Sequence, residues 1–212
     1  MRLTKCVLAA AWLLALTACA TIPRADPGIR VLVFNIHAGK NAAGQPNLEG
    51  VADVIRTTDA DVVLLQEVDR GTRRSGNVDQ VQRLKDLLTD GGRTRYDAAF
   101  GRSLDYDGGQ YGIAVLVRGT VTGSATEALP VQPAQERSGG SYEPRAALVV
   151  AAATRIGPLD IVNTHLDASR EEHYRLQESA HVLAIVDRVA GAAGVAAGGT
   201  STQSRAAAPI SG

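Results

Sequence analysis

Short apolar runs recur along residues 30–164 and alternate with polar stretches. Unbroken runs of about four to eight apolar residues, rich in β-branched side chains, are typical of buried strands. Such runs predict strands over residues 30–36, 61–66, 96–101, 112–117, 146–154 and 159–164. Turns are predicted at Asp107-Gly108-Gly109 and Ile156-Gly157-Pro158, where the apolar runs give way to glycine and proline.

Three other segments repeat their apolar residues with the period of a helix. They predict helices over residues 48–57, 78–88 and 170–189. A weaker strand-like segment follows the last helix at residues 191–197. Strands outnumber helices, and helices fall between some of them, which favours an α/β fold with two sheets, or one mixed sheet, and helices on the outside.

Composition narrows the picture only slightly. The chain has 212 residues, of which 45% are hydrophobic, so it fits one ordinary domain or a fragment and excludes a wholly disordered chain. Its 22 basic and 22 acidic side chains balance, which disfavours nucleic-acid binding by bulk charge, although a local basic cleft escapes that average. Aromatic residues, at 4%, are too scarce for a base-stacking platform.

The first residues have the pattern of an export signal. Arg2 and Lys5 precede an apolar run at residues 6–16, which is too short to span a bilayer. Leu16-Thr17-Ala18-Cys19 resembles the bacterial lipoprotein signal, which is cut before the cysteine. The resemblance implies a signal peptide over residues 1–18 and lipidation of Cys19. The alternative is an ordinary signal peptide with an unrelated cysteine.

A lipidated Cys19 implies that the protein is exported and held at the cell envelope through its acyl chains. Ala20 follows the cysteine in place of aspartate, which by the same resemblance favours an outer-membrane lipoprotein facing the periplasm. Residues 19–28 then form a short tether to the domain. We expect a monomer anchored to the membrane only by lipid.

Polar residues stand at the ends of several predicted strands. They are Asn35, Glu67, Asn163 with His165, and the Tyr111-Gly112 turn. A carboxylate with amide oxygens suits Mg²⁺ or Mn²⁺, and a neighbouring histidine can move protons or donate to a phosphoryl oxygen. Taken singly, each residue is as well explained by a turn, a solvated charge or a structural hydrogen bond.

Five ordered motifs together resemble the endonuclease/exonuclease/phosphatase superfamily over residues 29–198. The motifs are Phe34-Asn35-Ile36-His37, Leu65-Gln66-Glu67-Val68-Asp69-Arg70, Arg74 to Gln80, Tyr111 to Leu116 and Asn163-Thr164-His165-Leu166, with Arg145-Ala146-Ala147-Leu148 as a further likeness. The resemblance implies a four-layered α/β sandwich of the DNase I-like type. In this fold two packed mixed sheets are flanked by helices.

The resemblance also implies roles for the site residues. Glu67 and Asn35 match the metal-binding positions, and His165 matches the histidine that contacts the scissile phosphate. Asn163 and Tyr111 are candidates for the phosphate pocket. The implied cofactor is Mg²⁺ or Mn²⁺, and the implied substrate is a phosphate ester. Zero net charge favours a phospholipid head group or a soluble phosphodiester over nucleic acid.

The roles of several other polar residues stay open. Asp69, Arg70 and Arg74 are explained equally well by a structural ion pair and by substrate contact. No role is assigned to the three remaining histidines, of which the two on the long predicted helix are expected in solvent: His37, His173 and His181.

The chain departs from the family near its end. Members continue with Gly-Asp-x-Asn and then an Asp-His pair, whereas Gly199 and Ser201 stand here at the Asp and Asn positions. We therefore expect a domain over residues 29–198 that lacks its last strands, followed by an aberrant tail at 199–212. One hypothesis is a frameshift, since a shifted reading of codons possible for residues 199–205 gives Asp-Leu-Asn.

Three functions remain open from the sequence. The first is an envelope phosphoesterase with an impaired site, which should show little or no Mg²⁺-dependent phosphodiesterase activity. The second is a non-catalytic truncated relic or an envelope binding lipoprotein. The third is a lipoprotein whose resemblance to the family arose by chance.

Overall fold

The computed structural model describes residues 28–89, 96–134, 143–169, 172–191 and 194–201. The predicted signal peptide, Cys19, nearly all of the tether and the tail beyond residue 201 lie outside these residues. The strands are β1 Val31–Asn35, β2 Val62–Arg70, β3 Asp97–Tyr106, β4 Gly109–Val117, β5 Gly119–Ala128, β6 Ala146–Thr154, β7 Gly157–His165 and β8 Gly194–Thr200. The helices are α1 Leu48–Thr58, α2 Gln80–Thr89 and α3 Glu172–Val189, with 3-10 turns at His37–Gly39 and Arg73–Ser75.

The strands form two four-stranded sheets that pack face to face. The first has the order β1-β2-β4-β3 and the second the order β5-β6-β7-β8. In each sheet one outer pair is parallel, β1 with β2 and β7 with β8, and the other pairs are antiparallel. These two mixed sheets flanked by helices confirm the predicted α/β sandwich.

The apolar run in β2 is unbroken because both faces of this central strand are buried. Val62 and Leu64 face the second sheet and share a core with Ile161. Val63 and Leu65 face the opposite way, into the core under α1 and α2. A smaller core under α3, which includes Ile185, covers the outside of the second sheet. Helices therefore form the two outer layers, as predicted.

Three local features differ from the sequence prediction. β5 was not predicted, because most of its side chains are polar or small and exposed, as befits a strand at the sheet edge. Tyr111-Gly112 forms no turn but lies within β4, and the turn falls at Asp107 and Gly108. The weak segment after α3 is a strand, β8, which extends through Gly199 and Thr200.

Gly112 is required by close approach of the neighbouring strand. A Cβ at this position would lie 2.0 Å from the carbonyl oxygen of Gly101. We therefore expect Gly112→Ala to lower the free energy of unfolding by about 2 kcal/mol, because backbone must shift to make room. Chemical denaturation measures this change.

Gly123→Ala is the matched control, since a Cβ at Gly123 in β5 meets nothing within 4 Å. It should change the free energy of unfolding by no more than about 0.5 kcal/mol. Equal denaturation midpoints for the two variants would contradict the steric explanation for Gly112.

Candidate active site

Three of the predicted site residues meet at one rim of the sandwich. Asn35 ends β1, Glu67 lies near the end of β2, and His165 ends β7. β1 and β2 are parallel, so their carboxyl ends lie side by side, and sheet packing brings β7 to the same rim. The structure thus places these three side chains together, while their roles stay predictions.

The backbone at Glu67 has an unusual conformation. Its φ is 56°, in the left-handed region that non-glycine residues rarely adopt. A β-bulge between Leu65 and Val68 interrupts the pairing of β2 with β4 at this point. His37 and Ala38 share the positive φ, at 49° and 53°. Such conformations cost about 1–3 kcal/mol each and cluster at functional sites.

The Glu67 carboxylate is surrounded by three polar side chains. Asn35 Nδ2 donates to Oε1 at 2.7 Å, His165 Nε2 lies 3.5 Å from Oε1, and His37 Nδ1 lies 3.5 Å from Oε2. Burial raises the pKa of the carboxylate, but the hydrogen bonds from His165 and Asn35 and the charge of His37 outweigh it. They lower the pKa of Glu67 from 4.5 to about 2, so the group is ionised at neutral pH.

His165 is oriented by Thr200 on the neighbouring strand β8. Its Nδ1 lies 3.0 Å from the carbonyl oxygen of Thr200 and 3.1 Å from the hydroxyl. A carbonyl oxygen only accepts, so Nδ1 carries a proton and donates it. The Thr200 hydroxyl in turn donates to Gln66 Oε1 at 3.2 Å. The other ring nitrogen, Nε2, faces the Glu67 carboxylate and donates to it when the imidazole is protonated.

This arrangement fits a divalent cation held mainly by one carboxylate. The Glu67 carboxylate is ionised, and its two oxygens have further lone pairs that can accept a cation. Within the described ranges, no three His, Cys, Asp or Glu side chains form a group that could hold a metal ion. The fit is thus to Mg²⁺ or Mn²⁺ with most ligands from water and substrate.

Asn35 supports the carboxylate in this arrangement. Its Nδ2 donates to Glu67, and its Oδ1 accepts the backbone N–H of His37 at 3.0 Å. Metal binding by Asn35 stays a prediction, since the amide oxygen is here directed at that N–H.

Asn163 lies between the two sheets, at the base of the site. It is fully buried, and its Nδ2 donates to the carbonyl oxygens of Leu65 and Ala114, at 2.9 and 2.8 Å. Its Oδ1 accepts from Gln66 Nε2 at 2.7 Å. These bonds join β7 to β2 and β4 and engage both ends of the amide. Contact with phosphate stays a prediction for this residue.

Tyr111 borders the site within a cluster of ionic and aromatic side chains. Its hydroxyl donates to Glu143 Oε2 at 3.4 Å, and burial raises the pKa of the phenol well above its usual range. The Arg74 guanidinium lies over the rings of Tyr106 and Tyr111, 4.5 and 5.3 Å from their centroids. Arg74 also forms a bidentate ion pair at 2.8 Å with the fully buried Asp69. That ion pair is one of the two explanations left open by the sequence.

Sequence reasoning missed two residues of this site. His37 contacts Glu67, although no role was assigned to it, and its position beside Asn35 in a motif was the available signal. Thr200 contacts His165 only because β7 and β8 pair in parallel with these two residues in register. Nothing in the local sequence indicates that pairing. His173 and His181 are exposed, as expected.

A buried acid beneath the site predicts a pH effect on stability. Glu178 on α3 accepts the Asp167 N–H at 2.6 Å. Burial raises the pKa of Glu178, against the lowering effects of that bond and of Arg145 and His165. A raised folded-state pKa gives stability that is full below pH 4.5 and lost as pH rises through the raised value.

We expect Glu178→Gln to melt at a higher temperature than the wild type at pH 7, because glutamine keeps an acceptor without a buried charge. The gain should shrink as the pH falls toward 4.5. Asp187→Asn, which changes an exposed acid of the same helix, should show no such trend. A gain for Glu178→Gln that does not vary with pH would rule out the charge as its cause.

Comparison with known proteins assigns the chain to one family. Residues 32–197 match the model of the Endonuclease/Exonuclease/phosphatase family. No curated protein matches the chain.

Solved structures with a similar fold come from several bacteria. An endonuclease/exonuclease/phosphatase from Beutenbergia cavernae is 26% identical, with a TM-score of 0.55, over 77% of this chain and 44% of that one. One from Bacteroides vulgatus is 23% identical, with a TM-score of 0.60, over 82% and 65%. A mannosyl-6-phosphatase from Bacteroides thetaiotaomicron is 17% identical, with a TM-score of 0.58, over 81% and 64%. The chain therefore matches between 44% and 65% of the length of these structures.

Proposed function

Since this chain belongs to the endonuclease/exonuclease/phosphatase family, we propose that its Glu67 site binds Mg²⁺ or Mn²⁺ together with a phosphate ester. The observation that carries the proposal is the ionised Glu67 carboxylate, displaced by a β-bulge and ringed by His165, His37 and Asn35. Two histidines beside a carboxylate that can hold a cation suit a phosphoryl group whose charge must be neutralised.

Each residue has a definite task in this proposal. Glu67 holds the cation, which, when bound, polarises the phosphoryl group. Asn35 fixes the carboxylate through its amide hydrogen bond. His165, with Nδ1 held by Thr200, presents Nε2 to the phosphoryl oxygens and donates a hydrogen bond there once protonated. His37, whose side chain is 65% exposed, adds a second imidazole at the solvent side.

Hydrolysis of the ester is the expected family reaction, and we propose that it is slow in this chain. Gly199 and Ser201 stand at the positions where family members have Asp and Asn, and β8 carries no carboxylate. The β8 side chain beside His165 is that of Thr200, whose hydroxyl is no base at neutral pH. The alternative, a binding module without turnover, is favoured by the same lack of a carboxylate in β8.

The substrate class is proposed from the lack of net charge and from the rim geometry. A phosphodiester or phosphomonoester of a lipid head group or soluble molecule fits a chain with 22 basic and 22 acidic residues. One similar structure bears the name mannosyl-6-phosphatase, which makes sugar phosphomonoesters a reasonable first test.

We also propose that Cys19 anchors the chain at the envelope. Mutation to Ser should release it from the membrane fraction, and unchanged fractionation would refute anchoring there.

Hydrolysis assays test the proposed activity. The chain is incubated with Mn²⁺ and with a sugar phosphomonoester, a phospholipid or DNA, and release of product is followed beside Glu67→Gln. We expect at most slow turnover, lost in the variant. Fast turnover that depends on Glu67 would show that the site is not impaired. Product formed equally by both proteins would remove Glu67 from the chemistry.

A further inference from the structure

A groove next to the site is lined by three arginines. The cavity has a volume of about 500 Å³ and lies where β3 and β4 meet the beginning of β6. Arg70, Arg102 and Arg145 line it, together with polar side chains of Ser103 and Gln110, and no acidic residue is among its lining. A volume of this size accommodates a small ligand group.

Two of the three arginines form ion pairs, and the third does not. Arg102 pairs with Asp105 at 2.8 Å and Arg145 with Glu143 at 2.8 Å, so each of these has one carboxylate partner. Arg70 is held by neutral groups, since it donates to Gln110 and lies 4.5 Å from the centroid of the Phe100 ring. No carboxylate in the described part of the chain forms an ion pair with it.

Arg145 provides a second observation in the same groove. Its side chain is only 8% exposed, and its Nε has no hydrogen-bond partner among the described residues. Arg145 thus brings a largely buried guanidinium to the groove lining, together with Arg70, which has no carboxylate partner. Arginine forks match the geometry of phosphate oxygens.

The groove is joined to the Glu67 site by short connections. Arg70 follows Glu67 by three residues on the same strand, β2. Glu143, the partner of Arg145, accepts the hydroxyl of Tyr111. One extended substrate can therefore reach both places.

We propose that this arginine groove binds a second phosphate group of the substrate, apart from the one held at Glu67. The inference rests on the phosphoester function proposed for that site and deepens it, since it requires a substrate with two phosphates. The second phosphate belongs either to a small bisphosphorylated molecule or to the next unit of a nucleic-acid strand. The groove is a local exception to the chain's neutral average.

Calorimetric titration without divalent metal tests the groove alone. Wild-type protein in chelator and low salt is titrated with inorganic pyrophosphate and with a single-stranded tetranucleotide. At least one probe should bind saturably, and the tighter one identifies the source of the phosphate. Arg70→Gln should weaken binding about tenfold, because one charged fork is lost. Arg56→Gln, on α1 and away from the groove lining, removes the same charge and should have no effect.

Arg102→Gln is a second variant, included in case Arg70→Gln does not fold. The Arg102 side chain is 52% exposed, so its replacement should not disturb folding. It too should weaken binding. The absence of saturable binding, or equal affinities for wild type, Arg70→Gln and Arg102→Gln, would overturn the proposal. A separate Mn²⁺ titration distinguishes the two sites. Loss of Mn²⁺ binding alone counts against the Glu67 function, and loss of anion binding alone counts against the groove.

Discussion

Replacing Glu67 with Gln is expected to lower the affinity for Mn²⁺ by at least about 100-fold, which is more than the loss usual for a second-shell partner. The variant keeps the size and hydrogen-bonding shape of the side chain but removes the charge that faces His165 Nε2. Among the described residues no group of three His, Cys, Asp or Glu side chains could take over the cation. Electron paramagnetic resonance of free Mn²⁺ measures the affinity directly.

The same variant has a second expected effect, on the metal-free protein. The pKa of Glu67 is lowered to about 2, so the ionised form stabilises the fold above pH 4.5 and this contribution is lost as pH falls toward 2. Glu67→Gln should therefore be less stable than the wild type at pH 7 without metal, and the difference should narrow in acid. Thermal melting across pH tests this sign.

Glu49→Gln is the control for the Mn²⁺ titration. Glu49 is an exposed acid on α1 that pairs with Arg83 at the surface. Its removal changes the net charge equally but should leave Mn²⁺ binding intact. Equal Mn²⁺ affinity in Glu67→Gln and wild type would mean that the cation binds elsewhere, and the proposed function would fall with it.

The sequence predicts those strands and helices whose burial leaves a local pattern of apolar residues. β2 and β4 are buried on both faces, so each appears in the sequence as an unbroken apolar run. The sequence predicts α1 because Leu48, Val51 and Ile55 recur at helical spacing and share one buried face. β5 had no such signal, because its residues at the sheet edge are mostly exposed.

The site was predictable to the extent that motifs mark strand ends. Asn35, Glu67 and His165 each follow an apolar run, and their meeting follows from parallel pairing and sheet packing. The bulge at Glu67 was not predictable, because the positive φ depends on the pairing of β2 with β4 over distant sequence. The contact of His165 with Thr200 likewise requires the register of β7 with β8.

Asn163 and Gln66 are a second case in which a contact depends on long-range packing and has no local signal in the sequence. They hydrogen-bond across 97 residues of sequence, and only the packing of two sheets brings them together. The sequence motif places Asn163 beside His165 and so implied phosphate contact. In the structure its amide hydrogen-bonds to β2 and β4, which couples the base of the site to the core, and phosphate contact stays a prediction.

Replacing Asn163 with Leu should therefore lower the free energy of unfolding by about 3–5 kcal/mol. Leucine is similar in size, but it leaves the carbonyl oxygens of Leu65 and Ala114 and the amide of Gln66 without their partner in a fully buried place. Each unsatisfied buried group costs about 1–3 kcal/mol. For a domain whose total stability is about 5–15 kcal/mol, much of the protein would be close to unfolding. Urea denaturation followed by circular dichroism measures the loss.

Gln82→Leu makes the matched comparison, since Gln82 is an exposed amide on α2 that bonds to Asp86 within its own helix. Its effect on the free energy of unfolding should stay within about 0.5 kcal/mol.

The two possible roles of Asn163 predict opposite patterns of stability and phosphate affinity. A structural amide loses stability on substitution, and the surviving folded fraction keeps its affinity for phosphate. A phosphate ligand keeps stability and loses affinity, and that second pattern would favour the role implied by the motif over the one implied by the packing.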